Sequence, residues 1–288
     1  MAELRQPISP YRLSSLLRQE KNPKIALQLF LNPNPDPNLK PFRHSLLSYD
    51  LIITKLGRAK LFNALDQMLS RLKLETRLGP PEIIFCNVIT FYANGRLPDK
   101  AIEVYDSIPS FRCPRTAKSL NSLLNGMLLC GEWDHMRRIF YGFERFACPD
   151  ACSYNVMIRR FRVLGDVDGA RKVFDEMRVR GVCPDEVTFR VMMEALCEGF
   201  RVKEAFMMKR DIKRVYRMRV SEYVFVALIK WLCKVEEVTL AIRVKDEILE
   251  KEMEVKPVVY TTLIRCFFGL GGEGEVKGVL KEMKRNGC

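Results

Sequence analysis

The sequence predicts an all-α fold: a solenoid of about seven helical hairpins, each near 35 residues long, with a degenerate further hairpin in front. Three observations carry that prediction. The stretch from Ala151 to Asp185 reads as helix, turn, helix, turn. Its pattern returns along the chain at a nearly constant step. A hairpin of that size cannot bury its own apolar face, so its copies must stack to make a continuous core.

Within the unit, Tyr154, Met157, Ile158 and Phe161 are spaced i, i+3, i+4, i+7 and share one helical face. Gly165 ends that helix, because glycine takes the left-handed backbone without penalty. A second helix follows with Val167, Ala170, Val173, Phe174 and Met177 on its inner side. Gly181 closes it, and Pro184-Asp185 makes the turn to the next copy.

The large residue at the fourth position recurs as Tyr49, Phe85, Leu120, Tyr154, Phe189, Phe225 and Tyr260, in steps of 34 to 36 residues. An apolar pair follows three residues on, from Ile52-Ile53 and Val88-Ile89 to Leu228-Ile229 and Leu263-Ile264. Second-helix landmarks keep step. Ala101, Ala170, Ala205 and Ala241 let the two helices approach, and Ile108, Phe143, Met177, Ile212, Ile248 and Met283 are late anchors. Repeats therefore start near 46, 82, 117, 151, 186, 222 and 257.

Residues 1–45 are less regular. Arg5, Arg12 and Arg18 with Ser9, Ser14 and Ser15 have some character of an organellar targeting segment, which Glu3 and Glu20 weaken. Residues 10–31 read better as a degenerate first hairpin, with Leu16-Leu17 as its apolar pair. Asn32 to Pro41 is a Pro/Asn loop that cannot be helical. At the other end, Leu280 and Met283 would have no successor to cover them, so the array reads as truncated or covered by a partner.

The chain has 288 residues, 48% of them hydrophobic, which is ample for an elongated core. Its net charge of +13 favours a polyanionic partner. The ten cysteines include no Cys-x-x-Cys, and there are two histidines. Cys197 and Cys233 recur at one repeat position, as packing residues do, so neither a disulfide framework nor a metal site is expected, and a reducing compartment is implied. No apolar run approaches 18 residues, so no transmembrane helix is expected.

Catalytic constellations are missing too. Asp134 and His135 are adjacent on a helix and do not face each other. The glycines from Gly269 to Gly274 lack the strand and Lys of a phosphate loop and read as a turn. No deaminase zinc signature or nuclease module follows the repeats. The expectation is a binding protein, not an enzyme, with no cofactor and no small-molecule substrate.

Val187-Thr188-Phe189, Ala195-Leu196-Cys197, Lys203-Glu204-Ala205, Phe174-Asp175-Glu176-Met177 and Cys183-Pro184-Asp185 resemble the pentatricopeptide repeat consensus. The resemblance covers about residues 46 to 288, and steps near 35 are similar to those of the P-type subclass of plant organellar proteins. The tetratricopeptide repeat has a period of 34 and different landmarks. The pentatricopeptide resemblance implies a right-handed α-solenoid that binds single-stranded RNA in a mitochondrion, or alternatively a chloroplast. There it would act in RNA processing, stability, splicing or translation, with other RNA-processing proteins as further partners. A protein-interaction scaffold using the same groove is the alternative.

In that family the fifth residue of a repeat and the last residue before the next one read a base. Carried onto this chain, Asn121 with Asp150 and Asn155 with Asp185 resemble the uridine-preferring pair, and Thr261 would suit a purine. Cys152 and Val187 would be the wedges against the base, while Lys118 departs from the usual apolar choice. Asp150 and Asp185 also stand where helix N-caps belong. Arg190, Glu194 and Glu198, at i, i+4, i+8, are expected to pair with one another and to make repeat 186–220 a poor base reader. Val226 offers no hydrogen-bonding group. Arg58, Arg159, Lys230, Lys234 and Arg265 are the expected phosphate contacts. The basic run Lys209–Arg219 reads as a solvated outer face.

Overall fold

The computed structural model describes residues 8–34, 42–142, 148–250, 257–269 and 272–287. Among them are sixteen α-helices, one short 3-10 helix (Ile108–Phe111) and no strand. The chain divides into two compact units between Pro149 and Asp150.

The first unit opens with α1 (Pro10–Gln19) and α2 (Pro23–Leu31), a hairpin with Leu13, Leu17, Ala26 and Phe30 buried. Three more hairpins follow: α3 (Leu46–Arg58) with α4 (Phe62–Leu74), α5 (Glu82–Asn94) with α6 (Pro98–Ser107), and α7 (Ala117–Cys130) with α8 (Trp133–Gly142). The second unit holds α9 (Ala151–Val163) with α10 (Val167–Val179), α11 (Glu186–Glu198) with α12 (Val202–Arg214), α13 (Glu222–Lys234) with α14 (Val238–Glu250), and α15 (Pro257–Gly269) with α16 (Glu273–Arg285). Residues 1–7, 35–41 and 143–147 lie outside the described residues, and with them most of the Pro/Asn loop and the Phe143 anchor.

Within each unit the first helices pack side by side, α1–α3–α5–α7 and α9–α11–α13–α15, and each second helix packs on its own first helix. The periodic apolar residues make this possible. All seven fourth-position residues are buried, as are all the apolar pairs except Ile264. Ala101, Ala170, Ala205 and Ala241 are fully buried where the two helices of a hairpin meet. Phe161 departs from the expected inner face. It is half-buried and packs against its own second helix, where a Cβ on Gly169 would run into its ring. Gly57 is another close approach, since a Cβ there would enter the Phe91 ring of the next repeat.

Ion pairs one repeat apart tie the outer layer. Lys100 bonds Asp66, Arg171 bonds Glu204 at 2.7 Å, Lys209 bonds Glu247, and buried Lys245 bonds Glu282 at 2.7 Å. Lys209 therefore leaves the solvated basic run expected of it, whereas Arg210, Lys213, Arg214, Arg217 and Arg219 are exposed. His135 pairs with Glu132 at 3.2 Å and makes no dyad with Asp134.

Every first helix from α3 to α13 is followed by a left-handed residue at the fifteenth place of its repeat. It is Gly131 and Gly165 in two repeats, but Lys60, Arg96, Phe200 and Glu236 in the others, with φ from 57° to 63°. A side chain in this conformation costs about 1–2 kcal/mol relative to glycine, which the unfolded-state entropy of glycine partly offsets. Lys60→Gly is therefore expected to stabilise the protein by ~0.5–1 kcal/mol. Urea unfolding should show a higher midpoint for Lys60→Gly and no gain for Lys60→Ala.

Candidate nucleic-acid interface

The inner layer is built from first helices, so its surface chemistry is set by how those helices begin. Asp185 caps α11: its Oδ1 accepts from the Thr188 amide and hydroxyl, both at 2.8 Å, and the Thr188 hydroxyl returns to the Asp185 amide. Asp150 caps α9 in the same way through Ser153. Such reciprocal caps satisfy two of the amides that a helix start leaves open.

The same Asp185 oxygen accepts a third hydrogen bond, from Nδ2 of Asn155 at 3.1 Å. Capping and pairing with Asn155 are thus one arrangement and not alternatives. Burial works to raise the Asp185 carboxyl, but the bonds from Thr188 and Asn155 outweigh it and hold it below the usual carboxylate range. An ionised carboxylate only accepts, so it fixes the Asn155 amide with an N–H toward Asp185 and the carbonyl turned away. That carbonyl oxygen has no partner among the described residues. It can take an N–H from a base edge, such as N3–H of uracil, and it opposes the N3 lone pair of cytosine. Asn155 is only 3% exposed, so a base reaches it through a local shift of side chains.

The other proposed readers sit less uniformly. Asn121 is half-buried on α7 of the first unit, and Asp150 heads α9 of the second. Thr261 is exposed on α15, its hydroxyl turned back to the Val258 carbonyl at 3.0 Å. Cys86 is buried and Val226 half-buried. Of the five cations, Arg58, Lys230, Lys234 and Arg265 are exposed and Arg159 is half-buried.

Repeat 186–220 differs from its expected pairing. Glu194 and Glu198 do not pair with Arg190. Arg162 of α9 reaches across to both, at 2.6 Å to Glu194 and 2.7 Å to Glu198. Arg190 instead lies over the Tyr223 ring at 5.3 Å. The reason is helix phase: one guanidinium fork from the neighbouring helix meets two carboxylates at once. The Arg162 bond holds the Glu198 carboxyl below its ordinary range. Between them, burial pushes the Cys197 thiol up to about 12, which leaves it protonated and unreactive.

The third position of the repeat was missed in the sequence. Ser48, Ser119, Ser153 and Thr188 are all fully buried there. Where that place is apolar, as at Ile84 and Val224, the helix has no side-chain cap. A hydroxyl one residue before the fourth-position landmark was the available signal. Among the described residues no three His, Cys, Asp or Glu side chains gather as a metal site, and no helix is long and apolar enough to cross a membrane.

A model of the PPR repeat family matches residues 149–198, and one of the PPR repeat matches residues 258–288. The chain carries pentatricopeptide repeats. It is 46% identical over 250 residues to a putative pentatricopeptide repeat-containing protein of Arabidopsis thaliana, covering 86% of this chain and 53% of that protein. A second Arabidopsis relative, a pentatricopeptide repeat-containing protein named as mitochondrial, is 28% identical over 185 residues, or 63% of this chain and 45% of its own. The chain spans about half the length of these curated relatives. The maize pentatricopeptide repeat protein PPR10, solved in complex with an 18-nucleotide psaJ RNA element, matches in fold. The TM-score is 0.68 at 20% identity over 97% of this chain and 41% of that one. Pentatricopeptide hairpins therefore account for the layered first helices and for the caps at their starts.

The caps give a pH-dependent prediction. Because the folded Asp185 carboxyl is depressed, the stability it adds is present above its unfolded value and is lost as pH falls through the lower folded one. Asp185→Ala should cost about 1–2 kcal/mol at pH 7. Paired urea titrations should show its gap from wild type closing as pH falls below the ordinary Asp value of 3.8.

Proposed function

We propose that this chain binds single-stranded RNA along its first-helix face, with uridine preferred by the Asn155 repeat and by the Asn121 repeat. The observation that carries the reading is the Asn155–Asp185 pair, which leaves one acceptor oxygen without a partner at the fifth position of a pentatricopeptide repeat. The bound RNA solved with the maize structural neighbour supports the substrate class. Asp150 caps α9 as Asp185 caps α11, and Thr261 would meet a purine.

Arg58, Arg159, Lys230, Lys234 and Arg265 contact phosphates in this reading. Together with the net charge of +13, they make binding strongly salt-dependent. The steps of 34 to 36 residues support the P-type subclass, and the name of the mitochondrial relative supports that organelle. The role is passive: occupying a segment of transcript, protecting it or presenting it to processing factors.

Equilibrium binding to U-rich, A-rich and C-rich single-stranded RNA at several salt concentrations tests this. U-rich RNA should bind tightest, with a log–log salt slope of about −3.5, since each of five neutralised phosphates of a single strand contributes about −0.7. Asn121→Ala/Asn155→Ala should weaken U-rich binding about tenfold or more, as losing one or two base contacts does. Equal weak binding to all three RNAs, indifferent to the substitutions, would overturn the proposal and favour a peptide groove.

A further inference from the structure

Repeat 186–220 lacks a readable pair, yet its first helix borders an open pocket of about 320 Å³. The pocket lies between α11 and α13, and Arg162 of α9 closes one end. Its volume is at the small end for ligand sites, enough for one ring system and not for an extended molecule.

Two aromatic rings stand at its mouth. Phe200 is 65% exposed and Tyr223 is 45% exposed. Phe200 is also the left-handed residue of its repeat, with φ of 58°, a conformation unusual for a bulky side chain. An exposed flat ring is a stacking surface for a base. Behind them Trp231 is 8% exposed and edge-to-face with Phe200, with ring centroids 6.4 Å apart. Its indole N–H is buried without an acceptor among the described residues. A buried donor left unsatisfied is rare, and a ligand acceptor reaches this one through a local shift of the side chains over it.

The opposite wall accepts. Arg162 holds both oxygens of Glu198, at 2.7 and 2.8 Å, and Oε2 of Glu194 at 2.6 Å. The carboxylates are thus fixed by an ion pair that a ligand does not need to break. Lys230 and Lys234 stand exposed at the rim, one turn apart.

These features select among bases. A carboxylate accepts and never donates, so it needs donors facing it. Guanine alone among the four bases has two adjacent donors, N1–H and N2–H₂, on one edge. Its other edge carries the acceptors O6 and N7, which suit the indole N–H and a lysine. Adenine would turn its N1 lone pair, and cytosine its N3 lone pair, toward Glu194. Uracil has a single N–H between two carbonyls.

We infer that this pocket holds a guanine base of the bound RNA. Glu194 takes the donor edge, Trp231 and Lys230 take the acceptor edge, Phe200 stacks on the ring, and Lys234 takes a flanking phosphate. The inference rests on the RNA-binding reading above. It adds a second mode of base selection, separate from the fifth residue, in a repeat whose fifth residue is Arg190.

The test compares a uridine 12-mer with the same oligomer carrying one central G, A, C or inosine, using the full chain. The single G should tighten binding about tenfold over A or C, and inosine, which lacks the 2-amino group, should fall between. Glu194→Gln should reduce the G-to-A ratio to under twofold. The ratio is the readout because removing a carboxylate raises affinity for every RNA. Trp231→Phe should lower the ratio as well, with circular dichroism confirming the fold of both variants. Salt-sensitive binding of the uridine oligomer with no gain from G overturns the guanine pocket and leaves the RNA reading standing. Absence of binding to every oligomer overturns both. If a Gly-Arg-Gly tripeptide quenches tryptophan fluorescence and guanosine monophosphate does not, the pocket takes a protein side chain and the inference is wrong.

Discussion

A two-helix hairpin of about 35 residues cannot cover its own apolar face, and the rest of the molecule follows from that constraint. The fourth-position residues and, Ile264 aside, the apolar pairs of the first helices from α3 to α15 are buried only because a neighbouring first helix lies beside them. Stacking then leaves polar groups at helix starts and ends that must be satisfied repeat by repeat. Asp150 with Ser153 and Asp185 with Thr188 do so by reciprocal caps. Lys100, Arg171, Lys209 and Lys245 join successive second helices by ion pairs. What is left over on the first-helix surface is the chemistry available to a ligand.

That surface joins stability to recognition at a single atom. Oδ1 of Asp185 ends one hairpin, starts the next helix and orients the amide of Asn155. The fixed carboxylate leaves the buried Asn155 carbonyl oxygen with no donor of its own. A cap alone would be served equally well by Ser or Thr. The second duty, orienting an amide from the preceding repeat, requires an acceptor that cannot turn into a donor. Arg162 does something comparable one repeat on, where it fixes Glu198 through both oxygens and holds Glu194 beside it.

Helical periodicity made the fold legible in the sequence. Tyr49 through Tyr260 keep their spacing, and every one of those side chains is buried. The left-handed residue after each first helix was legible at Gly165 and invisible at Lys60, Arg96, Phe200 and Glu236. There the helix-ending backbone bonds, such as Leu61 N–H to the Leu56 carbonyl at 3.0 Å, hold the conformation without a glycine. At the candidate site, residue types were legible and partners were not. Sequence spacing joins Arg190 to Glu194 along one helix, but a solenoid places Arg162 of the preceding repeat nearer. Exposure was equally hidden, since nothing in Asn155 and its neighbours announces that it is 3% exposed. The unpartnered indole of Trp231 belongs to the same class, because it depends on what three helices leave open between them.

The most direct measurement is photocrosslinking of the full chain to a uridine-rich RNA carrying 4-thiouridine, followed by peptide mapping. Adducts should fall on first helices, concentrated near Cys152, Asn155 and Arg159 of α9 and Val187 of α11. Adducts concentrated instead on the exposed basic run after α12, at Lys213 to Arg219, would place RNA on the outer face and contradict recognition by the first helices.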